Sequence, residues 1–342
     1  MVRVTGIDAN LSRKALDQIV SGKSIAKMKR FGIFSETLPI SPLVVIAGLI
    51  AAGLYPAILG PNYQNVLLQY SIYFMWITLA EGWNLVGGYA GLLNLGFGAF
   101  FVLGSAISSL ALIQGYPVPV AMVFAGFAGA TLAILLTPTF RLRSDYFAIA
   151  TLVIPIVVQP LVSFAYGVNF RVPTNQILTA TALYYTGLIL AATTIIGIFF
   201  LLRSRVGIAL RAIGDNETAS SSLGINIVLY KSIALAISGF IASAAGCFFL
   251  LNLGTVSSTY FGDLTYSLFP IFMVIIGGIG TFEGPIVGSL IFSLIRYGAV
   301  TLFPGSTIDT PFFSLIIIIV AVLLPVGIAP SIRKLIVRIL HN

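Results

Sequence analysis

The sequence predicts an all-α polytopic membrane protein with about ten transmembrane helices and both termini in the cytosol. Three observations carry this expectation. Hydrophobic residues make up 58% of the 342-residue chain and charged residues only 8%. An ordinary soluble domain is about a quarter charged, so a chain this apolar must turn much of its exterior to lipid. Apolar runs of about 20 residues, the length that crosses a hydrocarbon core of about 30 Å, recur along the chain. The basic residues fall almost entirely in alternate loops, as expected when Lys and Arg are retained on the cytosolic side.

The expected spans are 43–59, 65–86, 92–113, 118–138, 147–166, 181–202, 231–253, 265–281, 285–303 and 311–329. With the N-terminus inside, the cytosolic segments are 1–42, 87–91, 139–146, 203–230, 282–284 and 330–342. They hold Arg3, Arg13, Lys14, Lys23, Lys27, Lys29, Arg30, Arg141, Arg143, Arg203, Arg205, Arg211, Arg333, Lys334 and Arg338, with Lys231 at the edge of a span. Only Arg171 falls in an outer loop, and Arg296 falls inside a span. An odd number of spans would push one basic terminus outside, which favours ten over nine or eleven. The organisation is then a basic cytosolic segment at 1–41, a membrane domain at 42–330 with its longest internal cytosolic loop at 203–230, and a cytosolic tail at 331–342.

The formal net charge of +8 follows from this sidedness and does not call for nucleic acid as a partner. The single cysteine, Cys247, excludes an internal disulfide and a cysteine-based zinc site, and sits in an apolar run as a small lipid- or core-facing residue. The single histidine, His341, is penultimate. No paired carboxylates, histidine cluster or Ser/His arrangement appears within the spans, so the chain does not read as an enzyme. The start of the chain is polar and basic for too long to be a signal peptide, and the first apolar run reads as a retained span. Leu11, Ala15, Ile19 and Val20, with Lys and Arg between them, suit either a short helix on the inner leaflet or a solvated basic tail. Ser21-Gly22-Lys23-Ser24 imitates the end of a P-loop, but Asp17 stands where that pattern needs glycine. The chain therefore has no nucleotide site or cofactor of its own, and ATP, if it drives the protein, is bound by another subunit.

Three segments stand apart from plain lipid-facing helix. The first runs from Glu81 to Gly98 and contains Asn84, Gly87, Gly88, Gly91, Asn94 and Gly96. Glycine lets the backbone bend or another helix approach closely, and non-helical backbone survives at membrane depth only under protein or water. The segment reads as a broken or tightly packed stretch near a pathway, or simply as close packing of small residues. Glu81 is an ionisable group within a span, which costs about 2.5–3.5 kcal/mol on insertion scales unless it is paired or hydrated. Arg296 is its candidate partner.

The second segment is Arg211–Asn226, in the loop between the sixth and seventh spans. Asn216 is placed to start a short helix with Glu217 and Thr218 in its first turn. Ala219, Ser220 and Ser221 follow, then Leu223 and a stop at Gly224. Such a helix suits a groove on a partner; an ordinary polar loop is the competing reading. The third segment, Ile276–Gly288, joins two spans through Gly277, Gly278 and Gly280, with Glu283 and Pro285 where the next helix begins.

In this order and spacing the three segments resemble the LivM-type permeases of branched-chain amino acid ABC transporters. The resemblance covers roughly residues 65–303 and includes Arg141-Leu142-Arg143-Ser144-Asp145-Tyr146. It implies a permease subunit in a prokaryotic inner membrane, working with a second permease subunit, two ATPase subunits and an extracytoplasmic solute-binding protein. It implies that Asp215, Asn216, Glu217, Ala219, Leu223 and Gly224 couple the spans to the ATPase. Glu81, Asn84, Gly88, Gly91, Asn94, Gly277, Gly278 and Gly280 become candidates for the pathway. The chain departs from the family where Asn94 and Phe97 stand in place of a common serine and histidine, and in the outer loop Asn169–Gln176. These departures bear on the solute: branched-chain amino acids lead, and urea, amides or nucleosides are the alternative. An ion-coupled secondary transporter predicts a denser set of buried ionisable groups than Glu81 and Arg296 provide.

Overall fold

The computed structural model describes residues 42–59, 63–141, 144–257, 265–302 and 327–331. The chain divides into two units, 1–46 and 47–342. The expected amphipathic segment at 11–29, His341 and most of the tenth span lie outside the described residues.

Helices α1 (Pro42–Leu59), α2 (Gln64–Asn84), α3 (Phe97–Ile113), α4 (Val118–Leu135), α5 (Ser144–Tyr166), α6 (Ala180–Arg203), α7 (Arg205–Asp215), α8 (Glu217–Ser222), α9 (Ile227–Leu253), α10 (Thr265–Gly277) and α11 (Gly284–Leu302) follow one another along the chain. Among the described residues four helices are both long and apolar enough to cross a membrane, at Val118–Leu135, Tyr146–Tyr166, Ala180–Arg203 and Ile227–Leu253, and shorter apolar helices occupy Ala47–Pro56, Phe97–Ile113 and Thr265–Gly277. Each expected span from 43 to 303 thus has a helix within it.

The centre of the protein is α9. Its membrane window is 78% buried inside the protein, against 28% for α4 and α5, so α9 has protein on most sides. Its sequence explains this. Ser238, Gly239, Ala242, Ser243, Ala245 and Gly246 leave little side chain between backbones, and small residues are what membrane helices use to pack closely. A Cβ on Gly104 of α3 would overlap the backbone of Ser243, so glycine is required at that crossing. Hydroxyls then bond across the seams. Ser238 donates to the Gly82 carbonyl at 2.6 Å, Ser243 to Phe100 at 2.6 Å, and Ser105 to Gly246 at 2.8 Å. Cys247, expected to face lipid or core, is in the core.

These bonds also set depth. Lys231 and Ser243 are twelve residues apart on α9, about 18 Å at 1.5 Å per residue. Phe100 is bonded at the level of Ser243, so α3 begins about halfway up α9 rather than at its foot. The expected third span, 92–113, is therefore corrected: residues 90–96 are not helical, and the helix starts at Phe97. Two further corrections concern the loop 203–230. An amphipathic helix, α7, fills the stretch before Asn216, burying Gly207, Ala209, Leu210 and Ile213. The seventh span begins at Ile227 and takes in Lys231.

Loops expected on one side of the membrane meet one another. Strand β1 (Asn169–Arg171) pairs antiparallel with β2 (Thr255–Ser257), with Phe170 opposite Val256. The Ser109 hydroxyl near the end of α3 donates to the Arg171 carbonyl and accepts from its N–H, both at 3.0 Å. The Gln176 amide reaches the Tyr116 carbonyl at 3.2 Å. Segments expected on the other side gather at the opposite end of α9, where Lys231 meets Glu217.

Candidate functional site: a glycine joint and an exposed capped helix

At that end α2 does not stop cleanly. After Asn84 the chain makes a π-helical turn over Leu85–Tyr89 and then runs non-helically to Gly96. π-Turns inside helices occur often at functional positions. The non-helical backbone is held by neighbours on several elements. Leu92 N–H donates to the Val86 carbonyl at 3.0 Å. The Trp83 indole donates to the Asn94 carbonyl at 2.8 Å, the Asn94 Oδ1 accepts from Gly96 N–H at 2.8 Å, and Thr151 of α5 accepts from Leu95 N–H at 3.1 Å. Ser267 of α10 accepts from Gly98 N–H at 2.9 Å. This is how broken backbone persists at membrane depth: protein groups replace the absent water.

Asn84, fully buried, ties this joint to the third segment. Its Nδ2 donates to the Thr281 carbonyl and its Oδ1 accepts from Gly280 N–H, both at 2.9 Å. Gly280 takes φ +69° and Gly278 φ +127°, left-handed conformations that glycine adopts without strain. The Thr281 hydroxyl closes the turn, donating to the Gly278 carbonyl at 2.8 Å and accepting from Gly284 N–H at 3.1 Å. Gly88 lies against Asn84 and Gly280, and Gly277 against Gly284 and Gly288, with no room for a Cβ at either. The structure therefore brings Asn84, Gly88, Gly277, Gly278 and Gly280 together, as packing and turn positions.

Glu81 sits one turn before Asn84, fully buried, and both its carboxylate oxygens lack a hydrogen-bond partner among the described residues. The candidate partner Arg296 makes no hydrogen bond to Glu81; the Arg296 guanidinium lies 5.4 Å from the centre of the Phe269 ring. Asn94 is buried with its Nδ2 unpartnered. Gly91, at φ +67°, lies beside Gly214 of α7, and Gly91 and Leu93 are exposed.

The second part of the site is α8. Asn216 caps it, its side chain accepting from Ala219 N–H at 2.9 Å. Its far end closes through Leu223 N–H to Ala219 and Ile225 N–H to Ser220, and Gly224 at φ +83° turns the chain away. Asp215, Asn216, Glu217, Ala219, Leu223 and Gly224 are all exposed, Ser220 alone of α8 is buried, and Leu223 is 81% exposed. Exposed apolar side chains of Ile208, Val228 and Leu229 belong to the flanking helices. The two parts touch through α7, where Gly214 packs on the Tyr89 carbonyl so closely that no Cβ fits, and Arg211 lies 5.9 Å from the centre of the Tyr89 ring.

Sequence reasoning did not single out Trp83, Thr151 or Gly214, and took Thr281 only as part of the third segment's turn. Threonine and tryptophan are ordinary residues in apolar spans, and only the fold brings them to the broken backbone. A separate apolar cleft of about 290 Å³ between α6 and α9, lined by Thr194, Ile198, Ile237 and Ile241 among others, contains none of the expected pathway residues.

Residues 62–324 match the family model described as branched-chain amino acid transport system / permease component. The high-affinity branched-chain amino acid transport permease LivM of Salmonella typhimurium is 27% identical over 294 residues, covering 74% of this chain and 67% of that protein. The probable LivM of Methanocaldococcus jannaschii is 26% identical over 227 residues, covering 60% of this chain and 65% of its own. The fructose import permease FruF of Bifidobacterium longum is 28% identical over 183 residues, covering 52% of this chain and 47% of its own. No solved structure matches the chain. The extent of the family match, taken with the apolar helices and the three segments above, places this integral membrane protein in the family of branched-chain amino acid transport system permease components.

Proposed function

We propose that the chain is the permease subunit of an ABC importer in a prokaryotic inner membrane, carrying branched-chain amino acids. In this reading a second permease subunit completes the pathway, two ATPase subunits bind the cytosolic face, and an extracytoplasmic binding protein delivers the solute. Both termini are cytosolic. The observation that carries the reading is α8: a short helix, capped at both ends, that buries only Ser220 and presents Leu223 outward. A helix built this firmly with so little of its own core has a surface suited to a partner. Asp215, Asn216, Glu217, Ala219, Leu223 and Gly224 form that coupling element. ATP binding would favour one of two arrangements of the spans by binding it more tightly.

Movement of α8 reaches the spans through α7 and the joint at Tyr89. Glu81, Asn84, Gly88, Gly91, Asn94, Gly277, Gly278 and Gly280 serve the pathway in two ways. Asn84 and the four glycines at 88, 277, 278 and 280 hold the joint in register. Gly91, Asn94 and the neighbouring Leu93 lie on broken backbone, whose exposed side must meet protein or water rather than lipid. The relationship to FruF leaves room for a sugar, and urea, amides or nucleosides remain alternative solutes. One observation favours ion coupling as a second mechanism: the buried Glu81 carboxyl has no hydrogen-bond partner among the described residues.

Single cysteines introduced as Arg171→Cys and Asp215→Cys test the sidedness on which this rests. A membrane-impermeant maleimide should reach 171 only from outside and 215 only from inside; labelling of both from one side would overturn the arrangement of spans. Uptake of radiolabelled leucine by cells expressing the whole transporter, competed by isoleucine, valine, fructose and urea, tests the solute.

A further inference from the structure

The bond between Lys231 and Glu217 lies outside the caps that shape α8, and it has its own consequence. Six residues are too few to hold a helix by themselves. Asn216 and the turn at Gly224 fix the internal geometry of α8, but they do not fix where α8 stands relative to α9. Among the described residues, one side-chain bond joins the two helices. The Lys231 ammonium donates to Glu217 Oε2 at 2.6 Å, with the lysine side chain 7% exposed and the glutamate 56% exposed. The two ends differ in kind. A buried ammonium that loses its partner remains desolvated and uncompensated, whereas the glutamate can return to water. The bond therefore favours keeping α8 against α9.

Lys231 stands in the second turn of α9, the helix bonded along its length to α2 at Gly82 and Ser71 and to α3 at Phe100 and Ser105. A displacement of α8 transmitted through Lys231 enters directly the helix that, among the described ones, is bonded to both α2 and α3. We propose that Lys231 is a positioning residue for energy coupling, latching the partner-binding helix α8 to the central helix α9 through Glu217. This rests on the reading of α8 as the coupling element. It separates two roles within that element: Leu223 faces the partner, and Glu217 faces its own chain.

The test uses the intact complex purified through a tag on this chain. A cysteine introduced as Asn169→Cys in the outer strand β1 reports movement at the far end of α9, and the native Cys247 is buried. Its labelling by a charged maleimide is timed with and without ATP and vanadate. Lys231→Met and Glu217→Gln should each reduce the ATP-dependent change in labelling rate by about tenfold, the size expected when a partly buried ion pair is broken. The amount of co-purifying ATPase should stay at the wild-type level in Lys231→Met, whose substituted side chain is buried away from the partner surface. Lys231→Arg, and the exchange of Lys231→Glu with Glu217→Lys, should restore most of the response.

A wild-type response in both Lys231→Met and Glu217→Gln would overturn the latch and leave the coupling reading standing. Loss of response with no rescue by either charged variant would reduce Lys231 to a folding role and overturn the latch as well. Absence of any ATP response in the unmutated complex would sink the coupling reading itself, and the latch with it. Should Glu217→Gln fail to assemble because it leaves the buried ammonium unpaired, Lys231→Met, which returns only the half-exposed glutamate to water, decides the question.

Discussion

The joint around Asn84 and the helix around Asn216 use the same residue type in opposite ways. Asn84 is fully buried and bonds a turn nearly two hundred positions away, with Thr281 and Gly280 as its partners. Asn216 is exposed and bonds Ala219, three residues on. The first asparagine holds distant parts of the fold together. The second completes a local shape whose outer surface the fold leaves open. Residues around Asn84 should consequently be hard to change without losing the protein, whereas residues around Asn216 should change with little loss of it.

Four substitutions sharpen this contrast, taken in falling order of their effect on stability. Gly88→Val pushes a branched side chain into Asn84 and the Gly280 backbone, and should cost about 3 kcal/mol or more, the upper end for overpacking. Thermal unfolding of the detergent-solubilised complex would show it as a large fall in midpoint or loss of assembled protein. Asn84→Ala leaves a buried N–H and a carbonyl without partners and should cost about 2–4 kcal/mol by the same measurement. Asn216→Ala removes a helix cap and should cost about 1 kcal/mol, seen most clearly as faster amide exchange at Ala219. Leu223→Asp, at a residue that touches little of its own chain, should stay within about 0.5 kcal/mol of the unmutated protein. On the coupling role proposed for Leu223, its leucine uptake should nevertheless fall by at least about tenfold, since a charge would replace an apolar contact with the partner. If Leu223→Asp instead destabilised the protein as much as Asn84→Ala, the two regions would not differ in the way described.

Much of this contrast was legible in the sequence, and unevenly so. The capped helix at Asn216 and its stop at Gly224 could be read in advance because caps are made by residues three or four positions apart. The apolar runs gave the spans for the same reason, since span length is a local property. Residues 92–96 were placed inside a span because Leu92, Leu93 and Leu95 are as apolar as any span, although the glycines of Glu81–Gly98 also read as a broken stretch. What breaks that helix is supplied by Trp83, Thr151 and Ser267 from other elements. Asn84 was singled out for its polarity, but its partners could not be, because nothing in the order of residues pairs it with Gly280 and Thr281. Helix α7 escaped notice because it is only eleven residues long and runs directly into the polar stretch at Asp215 and Asn216. Arg296 was named as a candidate partner for Glu81 on charge alone. Opposite charge says nothing about reach, and Glu81 is left with neither oxygen bonded.

The central claim is that the exposed helix at 217–222 is the seat of an ATPase subunit, and it can be tested by covalent capture. The tagged chain carrying Leu223→Cys would be purified from its native membrane after treatment with a short thiol-to-amine cross-linker, and the linked partner identified by mass spectrometry. The account predicts a cross-link to an ATP-binding subunit, with a second permease present in the same complex. A chain that purifies only with copies of itself, with no cross-linked ATPase and with transport in liposomes that ignores ATP, would contradict it and turn attention to Glu81 as an ion-coupling group.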